Sequence, residues 1–350
     1  MYLSLSDAII ISLKTLESIH DCKLKHIRGI PLIFLIFLLG ISLLLDLIGI
    51  IQIFLFNMNK IYHKPILIAE IGCNHKGDLR IAKDLILSAA KSGANYAKFQ
   101  IRDNKYLLGE NYFKPHPVPE NSYGKTYGEH RDKLEFTIKQ HLELKNYCKK
   151  NNIGYSTSVW DLKSAEKVNK SKLSTSYIKV PSACNLDFEL LNYLAEKYKG
   201  KIHISLGMTK NDEVRNIFNF LKKKKRLKDV VFYICTSDYP CNFNDLNLLE
   251  ITKQKKNFNS KIDSIAFSGH HRGIAVDIAA YTLGARFIER HFTLDRSWKG
   301  TDHAASLEPG GLSKLARDLN NTYQSLNLKK KGILDSEKFQ RKKLKKFIRI

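Results

Sequence analysis

Ile265-Ala266-Phe267-Ser268-Gly269-His270-His271 and, further on, Phe287-Ile288-Glu289-Arg290-His291 follow one pattern: a short apolar run, then polar side chains where it stops. Between them they carry a histidine pair suited to a metal, His270 and His291. Working outward, the same run recurs at Pro65 to Glu70, Tyr96 to Gln100, Gly154 to Ser158, Tyr177 to Val180, Lys201 to Ser205 and Val230 to Cys235, with helix-like segments between. Strands that alternate with helices build right-handed βαβ units around a parallel sheet buried on both faces. Eight of them predict an α/β fold, a (β/α)8 TIM barrel with its site at the strand C-termini.

Helix periodicity agrees. From Leu79 to Ala94, the residues Ile81, Ala82, Leu85, Ile86, Ala89 and Ala90 recur at three- and four-residue steps, and Gly93 ends the run. Thr137 to Asn151, Asp187 to Lys199, Asp212 to Lys224, Ile274 to Leu283 and Leu312 to Leu326 supply further helices. The residues after Met58 suffice for one barrel of about 250 residues, with no second domain. The predicted organisation is an N-terminal hydrophobic extension over 1–57, the barrel over 58–326 and a basic arm over 327–350.

Gly29 to Phe56 is apolar apart from Ser42, Asp46 and Gln52, and long enough to span a bilayer. Met58 nevertheless offers a natural start for the barrel, so the run reads as an over-extended start, with a membrane anchor as the alternative. Six cysteines without paired metal-finger spacing point to a reducing compartment, hence the cytoplasm. The formal charge of +24 gathers in Lys222 to Arg226 and Lys329 to Arg349. Neither run interleaves with aromatics, so they read as solvated basic surface and not as a nucleic-acid platform.

The polar positions at the strand ends are Glu70 with Asn74 beyond it, Lys98, Thr157, Lys179 with Ser182, Ser205, Ser237, Ser268 with His270, and Glu289 with His291. Any one alone is an ordinary surface or turn residue. In phase with eight strands they form a ring where such barrels keep their chemistry. Lysines and hydroxyls suit a phosphate beside a carboxylate, and two histidines can hold one divalent ion as a Lewis acid.

At these residues the chain resembles the sialic acid synthases, which condense phosphoenolpyruvate with an amino-sugar aldehyde. The shared motifs include Ala69-Glu70-Ile71-Gly72, Asn74-His75-Lys76-Gly77-Asp78, Lys98-Phe99-Gln100, Gly124-Lys125-Thr126-Tyr127-Gly128-Glu129-His130, Thr236-Ser237-Asp238-Tyr239-Pro240, and Trp298-Lys299-Gly300-Thr301-Asp302-His303. The resemblance implies that Lys98, Thr157, Lys179, Ser182, Ser205, Ser237 and Ser268 hold phosphoenolpyruvate, and that His270 and His291 bind manganese or magnesium. It also implies Glu70 and Asp302 as catalytic carboxylates, Asn74 and Tyr239 as sugar contacts, and a homodimer. The chain departs from the family at Pro181-Ser182-Ala183-Cys184, where members carry Gly-Ser-Gly and an acid, and it stops where an antifreeze-like domain would begin. Both departures concern the acceptor sugar. The alternatives are a synthase for a related 2-keto-3-deoxy sugar acid, a lysine Schiff-base aldolase, and a tethered, catalytically silent sugar-binding protein.

Overall fold

The computed structural model describes residues 62–173, 175–329 and 332–346. The apolar extension over 1–57, including the run 29–56, lies outside them. Among the described residues no helix is long and apolar enough to cross a membrane.

Eight parallel strands close into a barrel in sequence order: β1 Ile66–Gly72, β2 Tyr96–Ile101, β3 Gly154–Val159, β4 Tyr177–Val180, β5 Lys201–Ser205, β6 Val230–Ile234, β7 Ser264–Gly269 and β8 Phe287–His291. The predicted strands are all present, with ends that move by one or two residues. The shift in β1 carries it on to Gly72 through an irregularity between Glu70 and Gly72. Gly72 has φ 54°, a left-handed conformation that a side chain would strain.

The predicted helices form as Leu79–Lys91, Ile138–Lys150, Phe188–Lys197, Asn211–Lys223, Ala275–Thr282 and Pro309–Ser325. The helix Leu79–Lys91 starts where the Asp78 carboxylate accepts from the amides of Arg80 and Ile81. Its buried residues Ala82, Leu85, Ile86 and Ala89 face the strands. The periodicity did not reveal the helices Asn104–Leu108, Tyr127–Leu134, Leu162–Lys170 and Leu249–Phe258. Each buries a stripe too narrow to stand out; Leu162–Lys170 buries only Ser164, Ala165 and Val168, and is started by Asp161 accepting from the Ser164 amide. Within the predicted basic arm, Asp335–Leu344 is helical and buries none of its residues.

Two apolar regions support the site. The larger lies between strands and helices, and the smaller fills the barrel with Ile68, Tyr177, Val231, Tyr233, Ala266 and Phe287. One step toward the strand C-termini, side-chain alternation replaces these inward residues by Glu70, Lys179, Ser268 and Glu289. Register sets Glu70 beside Lys98 and His291, and Ser268 beside Glu289. The barrel therefore carries an apolar plug below and a charged floor above.

Candidate active site

The charged floor opens into a cavity of about 400 Å3 at the strand C-termini. Lys98 and Lys179 are its deepest cations, with side chains 2% and 4% exposed, so each needs a partner. Lys98 Nζ pairs with Glu70 and donates to Ser158 Oγ at 2.9 Å. Lys179 Nζ donates to Glu289 Oε1 at 2.6 Å and lies 4.1 Å above the Tyr233 ring. Glu289 Oε1 also accepts from Ser268 Oγ at 3.2 Å and stands 3.7 Å from Lys98 Nζ. One carboxylate thus lies between two buried ammoniums.

Burial alone would raise the Glu289 carboxyl, but Lys179 and Lys98 hold it well below the usual carboxylate range. Burial lowers the Lys179 ammonium from its ordinary value, Glu289 opposing and the Lys98 charge adding to the shift. Glu70 is fixed from two sides, since Gln100 Nε2 donates to its Oε1 at 2.6 Å while Lys98 holds its other oxygen. Gly72 makes this approach possible: a Cβ there would stand 3.1 Å from Gln100 Nε2, 3.2 Å from Glu70 Oε1 and 3.5 Å from Asp302 Oδ2.

Across the cavity the hydroxyls of Ser182 and Ser237 converge over Gly207. A Cβ at Gly207 would meet both oxygens at 2.6 Å, so only a glycine leaves them this close. Ser205 and Ser268 complete the hydroxyl lining.

On the rim, His270 and His291 stand with ring centroids 5.5 Å apart. His270 Nδ1 lies 2.7 Å from the Thr236 carbonyl oxygen, which can only accept, so Nδ1 carries the proton and Nε2 is left as a lone-pair donor. Burial lowers His270 to about 3, with the neighbouring His291 adding to it and Thr236 opposing. His291 Nδ1 is buried with no hydrogen-bond partner, 3.6 Å from Asp302 Oδ2. Tyr239 covers the pair, its ring centroid 4.1 Å from that of His270. Among the described residues no group of three or more His, Cys, Asp or Glu is gathered for a metal. Two imidazoles with an orphaned nitrogen on His291 nevertheless fit an ion whose remaining positions are filled by water or substrate oxygen.

Two expected residues are not in the cavity. Thr157 lies on the opposite face of β3, where its hydroxyl donates to the carbonyls of Phe99 and Ser158 at 3.3 and 3.1 Å; alternation sends Ser158 inward in its place. Asn74 is buried below the rim and spends its amide on the Phe292 carbonyl at 2.9 Å and Ser306 Oγ at 3.0 Å, so it braces a loop. The other expected side chains all line the cavity.

Sequence reasoning missed Gln100, Arg102, Arg131 and Ser158 as lining residues. Lys98, Gln100 and Arg102 follow a period of two along β2 and its end, a signal that could have found the last two. Arg102 is pinned by Glu135 Oε1 at 3.1 Å and lies 3.9 Å over the Trp160 ring. Arg131 donates to Tyr127 Oη at 2.9 Å, and no carboxylate pairs with it among the described residues. Behind the histidines, Arg290 faces away from the cavity and donates to Asp277 at 2.5 Å and to the carbonyls of Gly273 and His271. This fully buried pair ties β8 to the helix Ala275–Thr282, and the two carbonyl bonds tie it to the loop that carries His270.

Comparison with known proteins shows the family. The human N-acetylneuraminate-9-phosphate synthase is 37% identical over 286 residues, which covers 82% of this chain and 78% of that protein. The N,N'-diacetyllegionaminic acid synthase of Campylobacter jejuni is 35% identical over 283 residues, 80% and 82% of the two chains. Among solved structures, the N-acetylneuraminic acid synthetase of Leptospira borgpetersenii, in complex with citrate, superposes with a TM-score of 0.68 at 28% identity, covering 81% of this chain and 93% of that one. The NeuB family matches residues 85–331, and with it the expected resemblance becomes an assignment: the chain belongs to the NeuB family of sialic acid synthases.

Proposed function

We propose that this enzyme condenses phosphoenolpyruvate with an amino-sugar aldehyde of the N-acetylmannosamine kind, giving a nonulosonic acid and phosphate. The observation that carries the assignment is the floor of the cavity, where Lys98 and Lys179 share Glu289 beneath a ring of serines. Two buried ammoniums, with Glu289 between them and Glu70 beside Lys98, suit a ligand with two anionic groups that can share or take over those pairings. Lys98 and Lys179 bind the carboxylate and phosphate of phosphoenolpyruvate, while Ser182, Ser205, Ser237 and Ser268 donate to its oxygens. Both lysines stand ion-paired, which supports an anion site over a Schiff-base aldolase, whose lysine must be neutral to attack.

His270 and His291 would hold a divalent ion, manganese or magnesium, and that ion when bound supplies Lewis-acid polarisation of the aldehyde. Tyr239 at the rim packs against the sugar. The enol carbon C3 of phosphoenolpyruvate forms the new bond to the aldehyde carbon, whose oxygen takes a proton. Water adds at C2, losing a proton, and the C2–O bond to phosphate breaks. Glu70, anchored by Gln100 and Lys98, and Asp302, anchored by Thr301 Oγ1 at 2.9 Å, stand where those protons are given and taken.

Phosphate release from phosphoenolpyruvate with N-acetylmannosamine tests this. Release should require both substrates, stop on chelation and return with manganese or magnesium. Release that survives both chelation and His291→Ala would overturn the metal assignment, and release without any sugar would overturn the condensation.

A further inference from the structure

The two lysines of the floor are held unequally. Lys98 has Glu70, Ser158 Oγ and a share of Glu289. Lys179 has one carboxylate oxygen, Glu289 Oε1 at 2.6 Å, and that oxygen also accepts from Ser268 and stands 3.7 Å from Lys98 Nζ. The second partner of Lys179 is a ring face, for its Nζ lies 4.1 Å from the centroid of Tyr233. The face of an aromatic ring carries the negative part of its quadrupole, and it attracts an ammonium most strongly where water is shut out.

The ring is fixed from its far end. Tyr233 and His203 are both fully buried, and Tyr233 Oη lies 2.8 Å from His203 Nδ1. His203 stands opposite Lys179 in the register of β4 and β5, and its ring stacks on Tyr177 with centroids 3.9 Å apart. Burial, with the Lys179 charge adding, holds this imidazole well below the ordinary histidine range, so it is neutral, with one nitrogen donating and the other accepting. Its Nε2 has no partner. If Nδ1 donated, the phenol proton and the Nε2 lone pair would both be unpaired; with the phenol donating, only the Nε2 proton is. Tyr233 therefore donates to Nδ1, and a phenol polarised in this way presents a more electron-rich face to Lys179.

Resting on the phosphoenolpyruvate site proposed above, we infer that Tyr233, locked by His203, is a positioning residue that keeps the Lys179 ammonium available to the substrate anion. Glu289 lines the cavity, where an entering anion competes with it for the ammonium; Tyr233 does not line it and is out of the ligand's reach. As the anion loosens the hold of Glu289, the ring carries more of the ammonium's stabilisation. Without the ring, Lys179 has Glu289 alone, settles on it, and must be drawn off before it can bind substrate.

The test measures the Kd of phosphoenolpyruvate by titration calorimetry on the full-length enzyme. Tyr233→Leu, which removes the ring, should weaken binding roughly tenfold or more. Tyr233→Phe keeps the ring and leaves His203 Nδ1 unpaired, so it should lower Tm yet stay within about threefold of the wild-type Kd. Val231→Ala removes volume from the same apolar plug without touching Lys179, and should lower Tm with Kd unchanged. Phenylalanines with one, two and three ring fluorines at position 233 draw density from the ring at nearly constant shape, and cover the case in which the leucine variant does not fold. Binding should weaken stepwise along that series, by about threefold or more from phenylalanine to the trifluoro ring. An unchanged Kd in Tyr233→Leu, a flat fluorine series, or an equal loss in Val231→Ala would overturn the inference while leaving the substrate site intact. Failure of wild type to bind phosphoenolpyruvate would overturn the substrate reading itself.

Discussion

Replacing Glu289 by glutamine removes the single negative charge between Lys98 and Lys179 while keeping the shape of the side chain. In the free enzyme, Lys179 then loses its carboxylate at 2.6 Å and Lys98 the one at 3.7 Å, in a floor where neither ammonium is more than 4% exposed. Breaking a buried pair from one side costs about 3 to 5 kcal/mol. For a barrel of this size that corresponds to a fall in Tm of roughly 6 to 20 °C. Phosphoenolpyruvate should reverse part of the loss, because its anionic groups replace the missing carboxylate. The rise in Tm on adding saturating phosphoenolpyruvate should therefore be larger in Glu289→Gln than in wild type. Differential scanning fluorimetry with and without the ligand measures both quantities. An unchanged Tm, or a smaller ligand-induced rise than in wild type, would refute the electrostatic account of the floor.

Three further perturbations probe other parts of the site. Lys98→Met should raise KM for phosphoenolpyruvate by roughly thirtyfold or more, a loss of about 2 to 5 kcal/mol, with the KM of the sugar little changed; an unchanged phosphoenolpyruvate dependence would show that Lys98 does not bind it. Asp277→Ala strands the buried Arg290 guanidinium, and should cost about 3 kcal/mol of stability in chemical denaturation, at the low end of the usual range because two backbone carbonyls still accept from it; a loss below about 1 kcal/mol would show that those carbonyls suffice. Gly72→Ala places a methyl 3.1 Å from Gln100 Nε2 and 3.2 Å from Glu70 Oε1 at a positive φ. It should cut kcat far more than it raises KM for phosphoenolpyruvate, and steady-state kinetics in which kcat is retained would mean that Glu70 and Asp302 need not be held this close.

The sequence by itself determined the barrel. Eight short apolar runs alternating with amphipathic segments admit few other folds, and the side-chain period of two along each strand already separates the apolar plug from the polar ring above it. It pointed to most of the ring as well, because lysines, serines and histidines gathered at the ends of buried parallel strands are where such barrels keep their chemistry. It did not determine on which face a given strand end lies. Thr157 and Ser158 are neighbours of similar chemistry, and a one-residue difference in phase exchanges the one that meets Lys98 for the one that bonds to backbone. Nor did it reveal Asn74 as a brace, since both partners of its amide lie more than two hundred residues away in the chain. Only the tertiary structure brought Glu289 between two lysines from β2 and β4 and stacked Arg102 on Trp160. Local periodicity records which face of an element is buried, whereas these contacts depend on how separate elements are closed against one another, and that is fixed by packing of the whole barrel.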